Sequence, residues 1–145
     1  MPSQASQLEL ELRASRDEVA RATEAVRLYC AAHGAAEELI HDLCLAVDEV
    51  LANIVLHGYA ADPAGRIELR VTAEGSGYKL DFIDRAPPFN PLTATPPDLA
   101  VPPEERTIGG LGMVLVRALM DGLAYAREGD ANHLTLHREG ARSKG

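Results

Sequence analysis

The sequence contains no tryptophan, and only four tyrosines and two phenylalanines provide aromatic side chains. Its core must therefore be built from leucine, valine, isoleucine and alanine, and the apolar fraction of 46% is ordinary for a folded domain. No apolar run approaches the ~20 residues that a membrane-spanning helix needs. The first residues, MPSQASQLELELR, contain no apolar signal segment. We therefore expect a cytoplasmic protein that does not bind a membrane.

Positive charge is also scarce, because 14 lysines and arginines face 22 aspartates and glutamates and give a formal net charge of −8. Nucleic acids and anionic membranes both attract proteins with clustered positive charge. The composition therefore argues against general affinity for either. Contacts with a partner protein are expected to be local and not steered by a large basic field.

Cysteine is represented by Cys30 and Cys44 alone. Both lie in apolar, helix-like sequence, and their separation is not that of a CxxC motif. This setting predicts two buried structural thiols in preference to a disulfide or a metal site.

The length of 145 residues fits a single domain, whose elements follow from hydrophobic periodicity. Residues 8–12 alternate as a half-buried strand does. Ser15 and Glu18 form a capping-box pattern that begins a helix, which should stop at Gly34. A second helix is predicted over about 36–57, and the alternating segments 66–72 and 78–84 predict a hairpin.

The rest of the chain is predicted to form a long loop, a helix and two strands. Residues 86–108 hold seven of the nine prolines, and such a long loop in a compact domain is often functional. A helix should begin within GGLGMVLVRALMDG, followed by the strands LAYARE and NHLTLHRE and a flexible tail over 140–145. This order predicts an α+β, two-layer sandwich: a mixed, mostly antiparallel sheet with helices on one face.

Glu49 and Asn53 lie four residues apart in AVDEVLANIVLHGY, which is otherwise apolar almost throughout. Helical geometry puts both side chains on one face. An amide oxygen suits Mg²⁺ beside phosphate oxygens, and a carboxylate one turn away suits a general base. The alternative is a pair of polar groups hydrogen-bonded at a helix edge. Asp48 points about 100° away and is expected to face solvent or to cap a neighbour.

Asp84 ends the predicted strand 78–84 on the same face as Leu80 and Phe82. An ionised aspartate only accepts hydrogen bonds, so an inward Asp84 suits a donor such as an exocyclic amino group. The alternative is an aspartate that initiates the turn before RAPP.

The segment GGLGMVL, residues 109–115, puts glycines at a helix N-terminus, where free N–H groups bind anions. The sequence has no GxxxxGK[ST] motif and no GxGxxG after its first strand, which excludes a P-loop and a Rossmann-type dinucleotide fold.

Together, DEVLANIVLHGY, FIDRAPPFNP and GGLGMVLVRALMD resemble the three nucleotide-binding boxes of the GHKL ATPase superfamily. Within it, the chain is most similar to the anti-sigma factors and serine-protein kinases of the RsbW and SpoIIAB kind. The resemblance extends from about Leu8 to Arg138 and implies the Bergerat, histidine-kinase-like ATPase fold. It also implies ATP or ADP and Mg²⁺ as ligands, with residues 86–108 as the ATP lid.

The resemblance implies a role for each residue that matches these boxes. Glu49 would be the catalytic base, Asn53 the Mg²⁺ ligand, and Asp84 the acceptor for the adenine amino group. Gly110 and Gly112 would let the turn between lid and helix wrap the phosphates. Four further residues are implied to contact the nucleotide: Ala86, Leu111, Met113 and Thr135.

The chain departs from the family pattern at Ala86, since the family usually reads Asp-x-Gly there. Alanine lacks the freedom of glycine for positive φ, and its methyl group would lie near the base. The lid is also poor in basic residues. Arg106 and Arg117 either reach a phosphate or are ordinary surface charges.

Thr135 matches a threonine that supports the adenine site in the family, but it conflicts with strand parity. If Thr135 faces the pocket, Leu134 and Leu136 face the opposite side of the strand. Those leucines would then form an exposed dimer or partner surface, or be buried on a second face.

The resemblance implies an ATP-dependent anti-sigma factor and serine-protein kinase that phosphorylates a STAS-domain antagonist in a bacterial partner-switching module. The implied partners are that antagonist, a sigma factor and, in many members, a second copy of the chain. The alternative is a non-catalytic anti-sigma or adaptor protein on the same fold, which senses ATP or has lost it. Glu49 favours the kinase, and Ala86 keeps the adaptor open.

Overall fold

The computed structural model describes residues 7–60, 62–88, 90 and 110–140, with the side chains of 110–112 excepted. This part of the chain contains five β-strands and three α-helices. Their order matches the order predicted from periodicity. The elements are β1 (Gln7–Arg13), α1 (Arg16–Ala32), α2 (Glu37–Asn53), β2 (Arg66–Glu74), β3 (Gly77–Asp84), α3 (Gly110–Leu119), β4 (Gly122–Glu128) and β5 (Ala131–Arg138).

The first helix begins and ends as its sequence predicts, with one difference. The Ser15 hydroxyl accepts a hydrogen bond from the Glu18 backbone N–H at 3.4 Å. The Glu18 carboxylate, however, accepts from the Arg13 N–H at 3.0 Å and not from Ser15. After the helix, Gly34 adopts φ +80°, a conformation that glycine takes without steric cost.

The second helix does not continue as an α-helix to residue 57. It changes at Asn53 into a single π-helical turn, Ile54–Gly58. Turns of this kind widen the helix by one residue and often occur at functional sites.

The sheet is antiparallel throughout in the described residues, in the order β1-β2-β3-β5-β4. The expectation of a mixed sheet was therefore wrong, while the α+β class and the hairpin of β2 and β3 are confirmed. The strands of that hairpin run longer than predicted, and Gly75 at its turn has φ +60°. Because β5 inserts beside β3, the C-terminal end of β3 lies opposite the N-terminal end of β5.

Alternate strand positions and the inner faces of the helices form one apolar core. Leu134 is 4% exposed and Leu136 is fully buried, so these leucines face the core. The opposite face of the sheet carries polar side chains, among them Lys79 and Thr135. In the described part of the chain, no helix is long and apolar enough to span a membrane.

The two cysteines are free and differ in burial. Cys30 lies in the core, where desolvation raises the pKa of its thiol to about 12. Cys44 is only half-buried, and its Sγ lies 3.7 Å from the Thr23 carbonyl oxygen. The prediction of a buried thiol is thus confirmed for Cys30 and holds only in part for Cys44.

An ion pair joins α2 to the end of β5. Arg138 Nη2 donates to Asp42 Oδ2 at 2.6 Å, and only 8% and 16% of the two side chains are exposed. Arg138 Nη1 also donates to the Glu139 carbonyl. The pair therefore fixes β5 against the helix layer.

Candidate functional site

A mainly apolar pocket lies where the end of α2 meets α3 and the paired ends of β3 and β5. Antiparallel pairing sets Asp84 opposite Asn132 at the floor of this pocket. The residues that line it are Val50, Asn53, Ile54, Gly58, Asp84, Met113, Tyr125, Asn132 and Leu134.

Asn53 brings an unsatisfied amide into the pocket. It is 5% exposed, and its Nδ2 atom has no hydrogen-bond partner among the described residues. A buried polar group left unpaired costs about 1–3 kcal/mol, so the site suits a polar ligand. Rotation of the amide by 180° would present its oxygen instead, which is the atom that Mg²⁺ would take.

Glu49 lies one turn before Asn53 on the same helix and is half-buried. It does not line the pocket itself, and no hydrogen bond reaches its carboxylate from the described residues. Desolvation, and to a smaller extent the neighbouring Asp48 charge, raises the pKa of Glu49. A partly desolvated carboxylate without a hydrogen-bonding partner is suited to accept a proton. Asp48 is exposed, as predicted.

Asp84 is buried, 6% exposed, and faces the pocket with the parity predicted from its strand. Its Oδ1 atom accepts from the Ala86 N–H at 3.0 Å and from Asn132 Nδ2 at 2.8 Å. Burial raises the pKa of Asp84, and the bonds to Asn132 and Ala86 oppose that shift. The bond to Ala86 is the turn-initiating contact of the alternative interpretation. Its Oδ2 accepts no hydrogen bond from the described residues.

Ala86 occupies the position of the missing family glycine without backbone strain. Ala60 is the one non-glycine residue with positive φ in the described chain, so Ala86 does not need the freedom of glycine. The Ala86 side chain is buried, 1% exposed. A Cβ atom added to Gly58 would lie 3.3 Å from the Ala86 Cβ, which shows that Gly58 leaves room for this methyl group.

The third helix forms another wall of the pocket through Met113, which is 3% exposed. Gly110 begins this helix, and the side chains of Gly110, Leu111 and Gly112 lie outside the described residues. So does most of the predicted lid: residues 86–88 and 90 are described, and Arg106 is not. Of the tail over 140–145, only residue 140 is described. Arg117 is exposed on α3.

Thr135 does not belong to this pocket. Its hydroxyl donates to Asp81 Oδ1 at 3.0 Å on the other face of the sheet, because its neighbours Leu134 and Leu136 fill the core. Asn132, which sequence reasoning missed, lies in the pocket instead and is 5% exposed. Strand parity contained the signal, since Asn132 shares a face with the two leucines.

A comparison with known protein families identifies the family of this chain. The family described as "Histidine kinase-like ATPase domain" matches residues 12–138. The chain belongs to this family. The resemblance to the GHKL ATPase superfamily, and to its serine-kinase group, is therefore confirmed.

Two curated proteins resemble this histidine kinase-like ATPase domain in sequence. The serine/threonine-protein kinase BtrW of Bordetella bronchiseptica is 34% identical over 94 residues, which cover 65% of this chain and 66% of BtrW. The serine-protein kinase RsbW of Listeria monocytogenes is 31% identical over 106 residues, which cover 66% of this chain and 64% of RsbW. The matched region thus spans just under two thirds of each relative.

One solved structure agrees in fold. The RsbU and RsbW domains of a Mycobacterium tuberculosis protein match with a TM-score of 0.67 at 22% identity, over 94% of this chain and 32% of that one. This likeness confirms the predicted histidine-kinase-like ATPase fold.

The first nucleotide-binding box, DEVLANIVLHGY, ends in Tyr59, and this residue has a structural role in the chain. Its hydroxyl donates to the Arg66 carbonyl at 2.6 Å and accepts from the Arg85 N–H at 2.8 Å. Its ring covers Gly65, where an added Cβ would come within 2.5 Å of it. Tyr59 therefore holds the backbone just after Asp84 in place.

Proposed function

We propose that this chain binds ATP with Mg²⁺ in the pocket between α2, α3, β3 and β5, and transfers the γ-phosphoryl group to a serine of a partner protein. The observation that carries the proposal is the pocket itself. Asn53 and Asp84 both line it. Among the described residues, Asn53 Nδ2 has no hydrogen-bond partner and Asp84 Oδ2 accepts no hydrogen bond, and Glu49 lies one helical turn before Asn53. Kinase names among the relatives support the same reaction class.

Each of the three side chains supplies a different function. Asp84 accepts a hydrogen bond from the adenine amino group through Oδ2, since Oδ1 is already occupied. Asn53 provides one neutral ligand atom, which adds no negative charge near the polyphosphate. Bound Mg²⁺ would supply charge neutralisation at the phosphates.

Glu49 is the proton acceptor of the proposed step. The serine hydroxyl loses its proton to the Glu49 carboxylate, and the serine oxygen bonds to the γ-phosphorus. The bond from that phosphorus to the ADP oxygen breaks, and ADP leaves with the electron pair. The raised pKa of Glu49 makes its carboxylate a stronger base than an exposed glutamate.

We propose a STAS-domain anti-sigma antagonist as the protein that receives the phosphoryl group, and a sigma factor as the second partner. The test incubates the purified chain and a STAS-domain protein encoded in the same genome with γ-labelled ATP and Mg²⁺, followed by mapping of the labelled residue. Label on a serine supports the proposal. A STAS-domain protein that forms a complex with the chain but acquires no label contradicts the kinase reaction.

Replacing Asn53 with alanine is expected to weaken Mg²⁺-dependent ATP binding by about tenfold or more, because a ligand contact to a charged group is lost. Calorimetric titration with ATP, with and without Mg²⁺, measures the effect. Asp48→Ala is the matched control, since it removes an exposed polar group from the same helix. If magnesium strengthens ATP binding equally in wild type and Asn53→Ala, Asn53 is not the ligand.

A non-catalytic adaptor is the second candidate function, and it was suggested by Ala86 in place of the family glycine. The unstrained backbone at Ala86 argues against a disabled site. Ala86→Gly is therefore expected to leave ATP affinity within about threefold and to lower stability by about 0.5–1 kcal/mol through backbone entropy. Titration with ATP and thermal unfolding test this. A wild type that binds no ATP, together with an Ala86→Gly variant that does, would support the adaptor.

A further inference from the structure

Asn132 makes more side-chain hydrogen bonds than any other described residue that lines the pocket. Its Nδ2 atom lies 2.8 Å from Asp84 Oδ1, 3.1 Å from the Ala86 carbonyl oxygen and 3.2 Å from that of Pro87. Its Oδ1 atom accepts from the Tyr125 hydroxyl and from Arg127 Nη1. Both ends of the amide are thus engaged.

These partners allow only one orientation of the amide. Arg127 can only donate, so the atom that faces it must be the amide oxygen. Reversing the amide would set its NH₂ group against the guanidinium and its oxygen against the Asp84 carboxylate. Tyr125 donates to the same amide oxygen in this orientation, and the N–H donors of Asn132 are directed at Asp84.

The fixed amide determines which oxygen of Asp84 meets a ligand. Asn132 and the Ala86 N–H both donate to Oδ1, which leaves Oδ2 of this pocket-lining residue as the oxygen that accepts no hydrogen bond from the described residues. Burial would otherwise favour the protonated carboxyl group, and the bond from Asn132 opposes that. Asn132 thereby orients Asp84 and opposes the effect of burial on its ionisation.

We propose that Asn132, oriented by Arg127 and Tyr125, is a positioning residue that sets purine selectivity through Asp84. The selected base carries an amino donor at C6 and is preferred over a base with a carbonyl there. This inference rests on the proposed function, because it concerns the base end of the same nucleotide. Arg127 and Asn132 also hold the Ala86 carbonyl, so the chain leaving β3 is fixed by the same network.

Calorimetric titration with ADP and with IDP, both with Mg²⁺, tests the inference on four proteins. They are the wild type, Asn132→Ala, Tyr125→Phe and the control Thr135→Val. We expect the wild type to prefer ADP by about tenfold or more, as for one hydrogen bond to a charged group. Asn132→Ala should reduce that preference to within about twofold, chiefly through weaker ADP binding.

Tyr125→Phe keeps every atom of Asn132 and removes one group that orients it, so a smaller loss of selectivity is expected. If Asn132→Ala does not fold, as judged by circular dichroism and thermal unfolding, Tyr125→Phe decides by the same ratio. Thr135→Val alters the same strand on its opposite face and should keep the wild-type ratio. A structural role alone would weaken ADP and IDP equally, and the ratio would not change.

The outcomes distinguish a failure of this inference from a failure of the proposed function. A wild type that prefers ADP, with variants that keep the full preference or lose both ligands equally, overturns the role of Asn132 and leaves the nucleotide site intact. A wild type that binds neither nucleotide overturns the proposed function and this inference together.

Discussion

Glu49→Gln is expected to lower the rate of phosphotransfer to the partner serine by about 10²–10⁴-fold, the range typical of a lost general base. Glutamine has nearly the same shape but cannot accept the hydroxyl proton. The affinity for ATP with Mg²⁺ should change little, because Glu49 does not line the pocket that holds Asn53 and Asp84. Single-turnover transfer of labelled phosphate, beside calorimetric titration, separates the two effects.

Unfolding is not expected to cause such a loss, because the substitution should not destabilise the protein. Burial raises the pKa of Glu49, so its charge is less stable in the folded protein than in the unfolded chain. This destabilisation is complete above the folded pKa and disappears as the pH falls below the unfolded value. At neutral pH, the thermal midpoint of Glu49→Gln should therefore equal or exceed that of the wild type.

The neighbouring residue offers a matched control. Asp48→Asn removes the same charge from the adjacent, exposed position and should keep nearly the full rate of transfer. The wild-type rate should also fall on acidification at a higher pH than an exposed glutamate would give, since the base must be ionised. Full transfer activity in Glu49→Gln would remove Glu49 from the base role.

Sequence reasoning succeeded for features that depend only on the residue periodicity of a single strand or helix. Alternation in β3 placed Asp84 inward beside Phe82, and both are buried. Helical spacing placed Glu49 and Asn53 one turn apart on α2. These assignments needed only the geometry of a single element, which the apolar pattern specifies.

The failures had two causes: a likeness that was preferred to strand parity, and features that depend on tertiary context. Thr135 was assigned by its likeness to a family threonine, although the leucines on either side of it already required the opposite face. The insertion of β5 beside β3 pairs Asn132 with Asp84, and sequence order alone does not predict which strands become neighbours. The π-helical turn after Asn53 was missed because apolar periodicity over one turn does not distinguish it from an α-helix.

Asp42→Ala is expected to lower the free energy of unfolding by about 1–3 kcal/mol, the usual effect of leaving a buried hydrogen-bonding group without its partner. Arg138 would keep its bond to the Glu139 carbonyl but would lose its carboxylate partner while remaining buried. Its Nε atom already has no partner among the described residues, so the site cannot compensate easily. Chemical denaturation measures the change.

An exposed ion pair provides the comparison for this prediction. Glu24 and Arg27 form a pair on α1 with about half of each side chain exposed, and solvent screens such pairs strongly. Glu24→Ala should therefore leave the denaturation midpoint nearly unchanged, and an equally small effect of Asp42→Ala would contradict burial as the cause.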